Sequence, residues 1–420
     1  MKSWIKKSGF LLFAGLMSAS SLVGCASKSG GNKIVLTVWC SESDQAFAKK
    51  VAESFKEEHA DADYDFRFAV QGENDIATKI LNDVETAPDV FSFPSDQISK
   101  LINGDALARI GGDRLNKIKA ANSEKSIDSA TVTYKGESHT YAFPYTDNTF
   151  FLYYNKSVLN ENDVKSLDGI LAKCSTSKKF AMPLNDGWYN TSFYFGDGLG
   201  YAVTYDDSFA ETKITCDFDS EKGKTVTKAL WEIVADKRVM ADADDSKISA
   251  GLSDGSVVAA VSGIWNKTVF GGYLGENFGV TKLPTYTLNK GVAGERQVQL
   301  VSFAGYKLFG VGQYSKNKAA AMEFADYYTN KETQLKRFEE RGFVPTNTEA
   351  KNDARVQADP CAKAITLQLE HSKTQKDVPS TLWTPMQGLG NAMITAATTG
   401  SAFNLEKELA AYVNAIEKNA

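Results

Sequence analysis

Apolar residues run almost without a break over 33 to 39, and in the polar sequence that follows Phe47, Val51 and Phe55 stand four residues apart. The first pattern predicts a buried strand, and the second a helix over 44 to 59 that turns one stripe toward a core. Tyr64, Phe66, Phe68 and Val70 then alternate with other residues, the period of a second strand. A helix over 73 to 85 and a buried strand over 88 to 93, ending at Pro94, complete a β-α-β-α-β rhythm. Such a rhythm predicts an α/β domain with helices covering the sheet. Ligands of these sheets sit beyond the carboxyl ends of the strands, here near 41 to 44 and 93 to 97.

Residues 131 to 134 and 139 to 143 flank Lys135-Gly136 as a hairpin, which leads through Pro144 into an apolar run over 148 to 155. The first crossing to a second lobe is expected there. Another α/β set extends to about Pro284, and 300 to 308 reads as one more buried strand. The charged stretches at 316 to 341 and 406 to 418 read as solvated helix faces. A chain of 420 residues exceeds what one ordinary core serves, so two domains are expected.

The first 24 residues stand apart from this pattern. Lys2, Lys6 and Lys7 precede an apolar run over 10 to 17, and Leu22-Val23-Gly24-Cys25 follows. That order is a secretory signal, and its apolar run is too short to span a bilayer permanently. Leu-Val-Gly-Cys resembles the lipobox of bacterial lipoproteins, which implies cleavage after 24 and a lipid on Cys25. Residues 25 to 32, rich in Ser, Lys and Gly, then read as a tether. Cleavage takes three of the 47 basic residues and none of the 52 acidic ones, so a net charge of −5 becomes −8 in the mature chain. That balance disfavours nucleic acid as a partner. No later stretch is long and apolar enough to cross a membrane, so attachment is expected through the lipid alone.

Several chemical signatures are present only in outline. Gly251-Leu252-Ser253-Asp254-Gly255 fits the nucleophile-elbow pattern of an esterase, but a polar helix-like stretch precedes it and the strand comes after, the reverse of an elbow. The cluster from Gly196 to Gly200 lacks the strand-turn-helix setting of a dinucleotide loop. Asp217, Asp219 and Glu221 suggest a calcium loop, yet Lys222 and Lys228 occupy the positions that need Gly and Glu. His59, His139 and His371 are too far apart for a helical zinc site, and Cys40, Cys174, Cys216 and Cys361 match no zinc spacing. The cysteines read as free and buried, and neither a metal nor a cofactor is expected.

Aromatic and planar polar residues do recur together, at 93 to 97, 145 to 148, 185 to 190, 263 to 266 and 382 to 387. Sugars offer flat C–H faces to aromatic rings, and their paired hydroxyls suit carboxylates and amides. With Ile34-Val35-Leu36-Thr37-Val38-Trp39, Ala87-Pro88-Asp89-Val90-Phe91, Ala142-Phe143-Pro144-Tyr145, Val261-Ser262-Gly263-Ile264-Trp265 and Gly342-Phe343-Val344-Pro345-Thr346-Asn347, the chain resembles the extracytoplasmic solute-binding proteins of carbohydrate ABC importers. Within them it is similar to the maltodextrin binders.

The resemblance implies a two-lobed, hinged α/β fold with an interlobe cleft. Residues 33 to 146 and 293 to 345 would form one lobe, and 147 to 292 and 346 to 420 the other. It implies a monomeric, lipid-anchored receptor that closes on an α-glucan and is recognised by a membrane permease. By position, Phe93 replaces a stacking Trp, Asp96 accepts sugar hydroxyls, and Gln97 stands where an Arg is usual. Asp147 or Asn148 falls at a hinge carboxylate. Asp186 with Trp188 or Tyr189 matches an acid and an aromatic of the second lobe, and Trp265, beside Asn266, and Trp383 match stacking rings. Glu42 and Asp44 fall near an acid that normally has a Lys beside it, which is missing here. Two alternatives remain: a binder of β-linked or galactose-containing oligosaccharides, and a secreted hydrolase acting through Ser253 or a carboxylate pair.

Overall fold

The structure, a computed structural model, describes residues 33–72, 75–134, 137–206 and 210–418. The expected signal over 1 to 24, the tether over 25 to 32 with its Cys25, and the Lys135-Gly136 turn lie outside the described residues.

Strands Ile34–Cys40 (β1), Tyr64–Val70 (β2) and Val90–Pro94 (β3) open the first lobe. Ala142–Asn148 (β4) and Phe150–Asn155 (β5) carry the chain across, with only Thr149 between them. Lys179–Ala181 (β6), Val239–Met240 (β7), Val257–Gly263 (β8) and Phe278–Thr281 (β9) belong to the second lobe. Ser302–Val311 (β10) and Ser372–Thr374 (β11) return to the first. The first sheet has the order β11-β10-β3-β1-β2, with β4 also paired to β10. The second has the order β7-β6-β8-β5-β9. In the first, β1 runs parallel to β2 and β3, and β10 antiparallel to β3 and β4.

The helices that matter for the cleft are Gln45–Glu58 (α1), Gly187–Gly196 (α2), Lys331–Arg341 (α3) and Trp383–Thr399 (α4). In α1, Phe47, Val51 and Phe55 are buried, as their spacing predicts. The helix expected over 73 to 85 is shorter, Ile76–Asn82. Helix Lys318–Tyr328 packs Phe324 and Tyr328 into the first lobe's core, whereas Leu335 and Phe338 of α3 join a cluster of the second lobe with Phe151 and Tyr153. The same helix sends Arg337 the other way, to Asp44 and Thr146 of the first lobe, so it touches both lobes.

Helix Asp245–Asp254 leads through Gly255, at φ 78°, into β8, so Ser253 lies exposed on a last helical turn and not on a nucleophile elbow. Gly198, at φ 74°, makes the earlier glycine cluster a turn, and Ser220 caps a helix by accepting from the Gly223 N–H. Cys40, Cys216 and Cys361 are buried and free, and Cys174 is free and half-buried. No described group of His, Cys, Asp or Glu is arranged to hold a metal, and no described helix is long and apolar enough to cross a membrane.

A buried ion pair fixes α3 to the turn after β1. Asp44, 1% exposed, accepts from Arg337 of α3 at 2.9 and 3.1 Å and from Arg341 at 2.8 Å. The Arg337 guanidinium lies between the rings of Phe343, at 4.3 Å, and Tyr145, at 4.7 Å. Burial pushes the Asp44 carboxyl up, but Arg337, Lys307 and Arg341 together hold it below its usual range. Removing the acid leaves a buried guanidinium without its counter-charge, so Asp44→Ala is expected to cost about 3–5 kcal/mol. Urea unfolding checks this, and an unchanged midpoint would contradict it.

Candidate functional site

A cleft of about 530 Å³ opens between the lobes. Asp96, Gln97 and Lys100 line its first wall, and Tyr205, Glu211, Asp377 and Trp383 its second. The first wall is placed by the strand end. β3 stops at Pro94 and turns into Ser95–Gln97, and the Ser95 hydroxyl, buried, donates to the Gln375 carbonyl at 3.0 Å. Gln97 Oε1 accepts from the Ala77 N–H at 3.2 Å. Asp96 is held differently from the other buried acids. Its Oδ1 is buried and has no hydrogen-bond partner. Burial pushes the carboxyl up to about 6, against the downward pull of hydrogen bonds from backbone and Gln375.

Three tryptophans belong to the second lobe's side, and Trp383 is the one that lines the cleft. Asp186, exposed, caps α2 by accepting from the Trp188 N–H at 2.8 Å. The Trp188 indole N–H donates to Gln375 Oε1 at 3.0 Å, and its ring stands edge-on to Phe150, with centroids 4.7 Å apart. Trp265 is 38% exposed, donates to Asp245 at 2.9 Å and lies 5.9 Å from the Trp188 ring. Its ring covers Gly263, where a Cβ would come within 1.8 Å of it, so the Gly-Ile-Trp sequence is what seats this ring. Trp383, at the start of α4, packs edge-on to Phe303 at 5.4 Å and lines the cleft. Tyr189 is buried 4.6 Å from Phe150, and Asn266 donates to Ser262, which donates to Asp245. These two support the wall from behind. Asn148 is half-buried, and a Cβ on Gly305 would come within 3.6 Å of its amide nitrogen and 2.8 Å of Gln375 Oε1. Glu42 is exposed in the Glu42–Asp44 turn after β1.

Three expected ligand residues have other work. Phe93 is 1% exposed and packs against Phe91 at 5.6 Å in the first lobe's core, because β3 is covered on both faces. Asp44 is committed to Arg337 and Arg341. Asp147, buried, takes Lys351 at 2.6 Å, with burial pushing its carboxyl up and Lys351 pulling it back. Gln375 and Asp245, which hold Trp188 and Trp265, carry no local signal in the sequence, since their partners lie far away along the chain.

Comparison with known proteins gives a consistent result. The family model described as bacterial extracellular solute-binding protein matches residues 50–364. The chain is 26% identical over 420 residues to the galactooligosaccharide-binding protein of Bacillus subtilis, covering 95% of this chain and 94% of that one. It is 23% identical to the maltodextrin-binding protein MdxE of the same organism, with 96% and 97% covered. A protein solved with acarbose superposes at a TM-score of 0.76 with 30% identity, covering 91% of this chain and 98% of that one. The maltodextrin binding protein MalE1 from L. casei BL23, solved without ligand, has the same fold at a TM-score of 0.76 and 24% identity, with 92% and 99% covered.

The Asp96 carboxyl has a testable consequence for stability. It ionises near 3.8 in an unfolded chain and near 6 in the fold, so the unfolded state loses its proton first and stability falls as pH rises through that window. Asp96→Asn removes this loss. The variant is expected to exceed the wild type by up to about 3 kcal/mol above pH ~7 and to match it below pH ~4. Urea denaturation of the sugar-free protein at both pH values measures it, and an equal difference at both would contradict the assignment.

Proposed function

Because the chain belongs to the bacterial extracellular solute-binding proteins, we propose that it is a lipid-anchored receptor that captures maltodextrin-type α-glucans and delivers them to an ABC importer. The observation that carries this reading is Asp96 Oδ1, a buried acceptor without a partner on a cleft whose opposite wall holds Trp383. Sugar hydroxyls supply the missing donor, and the sugar's C–H face supplies what the rings of Trp383, Trp188 and Trp265 lack. Asn148 and Glu42 stand close enough to the strand ends to add polar contacts, with Gln97 and Asp186 at the rim. Phe93, Asp44 and Asp147 are left out of the contact set.

Capture proceeds by closure. A ligand that touches both walls binds the closed state more tightly than the open one and shifts the population toward it. The short link at Thr149, whose hydroxyl donates to the Phe303 carbonyl at 2.7 Å, fits a hinge. The closed surface is what a permease recognises. The N-terminal lipid on Cys25 keeps the monomeric receptor on the outer face of the cell membrane. No catalytic role is assigned, in keeping with relatives that are binding proteins.

A second reading keeps the receptor and changes the sugar. The relative named for galactooligosaccharides matches along nearly the full chain, so a galactose-containing or β-linked ligand has its own support. Calorimetry with maltotriose, maltotetraose, a galactooligosaccharide and cellotriose separates the two. The α-glucan reading expects maltotriose or maltotetraose to bind at least tenfold more tightly than the other two, a difference of ~1.4 kcal/mol or more. Binding of the galactooligosaccharide alone would replace it with the second reading.

A further inference from the structure

Gln375 is 8% exposed and lies against both the Ser95–Gln97 turn and Trp188. It follows β11, and its backbone is fixed on both sides. The N–H donates to the Ala304 carbonyl at 2.9 Å, and the carbonyl accepts from the Ser95 hydroxyl at 3.0 Å. The side chain then reaches both walls. Its Oε1 accepts from the Trp188 indole at 3.0 Å, and its amide draws the Asp96 carboxyl down against the upward push of burial. Only one orientation satisfies both neighbours. An indole N–H can only donate and an ionised carboxylate can only accept, so the amide must turn its oxygen to Trp188 and its NH₂ to Asp96. Gly305 makes the space, since a Cβ there would lie 2.8 Å from Oε1.

The geometry points to Gln375 as the positioning residue of the cleft: one residue that ties the Ser95–Gln97 turn carrying the hydroxyl acceptor, through its carbonyl, to the Trp188 ring of the second lobe, through its amide, so that a sugar meets both at once. This rests on the sugar-binding reading above. Other charged and titratable groups face the same space. Lys100 donates to the Thr78 hydroxyl at 3.0 Å, and Glu211 accepts from the Ser380 N–H at 2.9 Å and from its hydroxyl. The Tyr201 ring centroid lies 4.1 Å from the Lys373 ammonium while its buried hydroxyl has no hydrogen-bond partner, and Asp377 accepts from the Ser99 hydroxyl at 3.5 Å. An acid in place of Gln375 would keep the bond to Trp188 but set two carboxylates face to face, and they would share one proton. With that proton in place the bridge is restored, and without it the bridge breaks.

The test is the affinity for maltotriose of the full chain between about pH 5 and pH 8. Wild type is expected to bind more tightly as pH rises and then to level off, because the ionised Asp96 accepts the sugar's hydroxyls. Gln375→Glu is expected to show the opposite slope, within about threefold of wild type at pH ~5 and at least about tenfold weaker at pH ~8. Gln375→Leu should be weak throughout and should shift the Trp emission of the sugar-free protein. Circular dichroism and urea midpoints confirm that each variant is folded, and the near-isosteric Glu variant guards against a merely structural loss. If both Gln375 variants follow the wild-type curve within about twofold while Asp96→Asn binds weakly, the cleft reading stands and Gln375 is not its positioning residue. If the wild type binds neither maltotriose nor a galactooligosaccharide, the sugar-binding reading fails and this inference fails with it.

Discussion

Three consecutive residues of β10 hold the floor of the cleft together. The Ala304 carbonyl receives Gln375, Gly305 pairs with Asn148, and the Tyr306 N–H donates to Ser95 beside Asp96. All ten residues of β10 are buried, so the strand is committed on both faces and has little freedom to shift register. It is also where the lobes are joined, since Thr149 bonds to Ser302 and Phe303 at the strand's beginning. Its glycines are part of the constraint. A Cβ at Gly310 would come within 2.5 Å of Leu107, and one at Gly305 would meet Gln375. The apolar core and the polar cleft are thus two consequences of the same strand.

Charge separates residues that hold the fold from those left for a ligand. Asp44 and Asp147 are both buried, and both face cations, Arg337 with Arg341 in one case and Lys351 in the other. An ionised acid removed from water needs such a partner. Asp96 has an amide and backbone donors but no cation, and one of its oxygens is unsatisfied. A site in that condition lacks only a neutral donor, which is what a sugar hydroxyl offers. Anionic ligands are disfavoured by the same carboxylate and by Glu211 and Asp377 across the cleft.

The sequence made the strands and the main crossing legible because their cues are local. The apolar run of β1, the alternation of β2 and the link after Asn148 all depend on neighbours in the chain. Phe93, Asp44 and Asp147 were misread for a common reason. A stacking ring and a core ring look alike in a covered strand such as β3, and the cations that claim the two acids lie 293 and 204 residues away along the chain. Gln375 was invisible because its importance comes from joining Trp188 to Ser95, beside Asp96, which only the folded chain brings together.

The central claim is that this is a two-lobed receptor closing on an oligosaccharide held between Asp96 and the tryptophans. Small-angle X-ray scattering of the mature protein, with and without saturating oligosaccharide, tests closure directly. The account predicts a smaller radius of gyration and a shorter maximum dimension when sugar is bound, and no such change in Asp96→Asn at the same sugar concentration. Identical scattering profiles for the wild type with and without a sugar that calorimetry shows to be bound would contradict it.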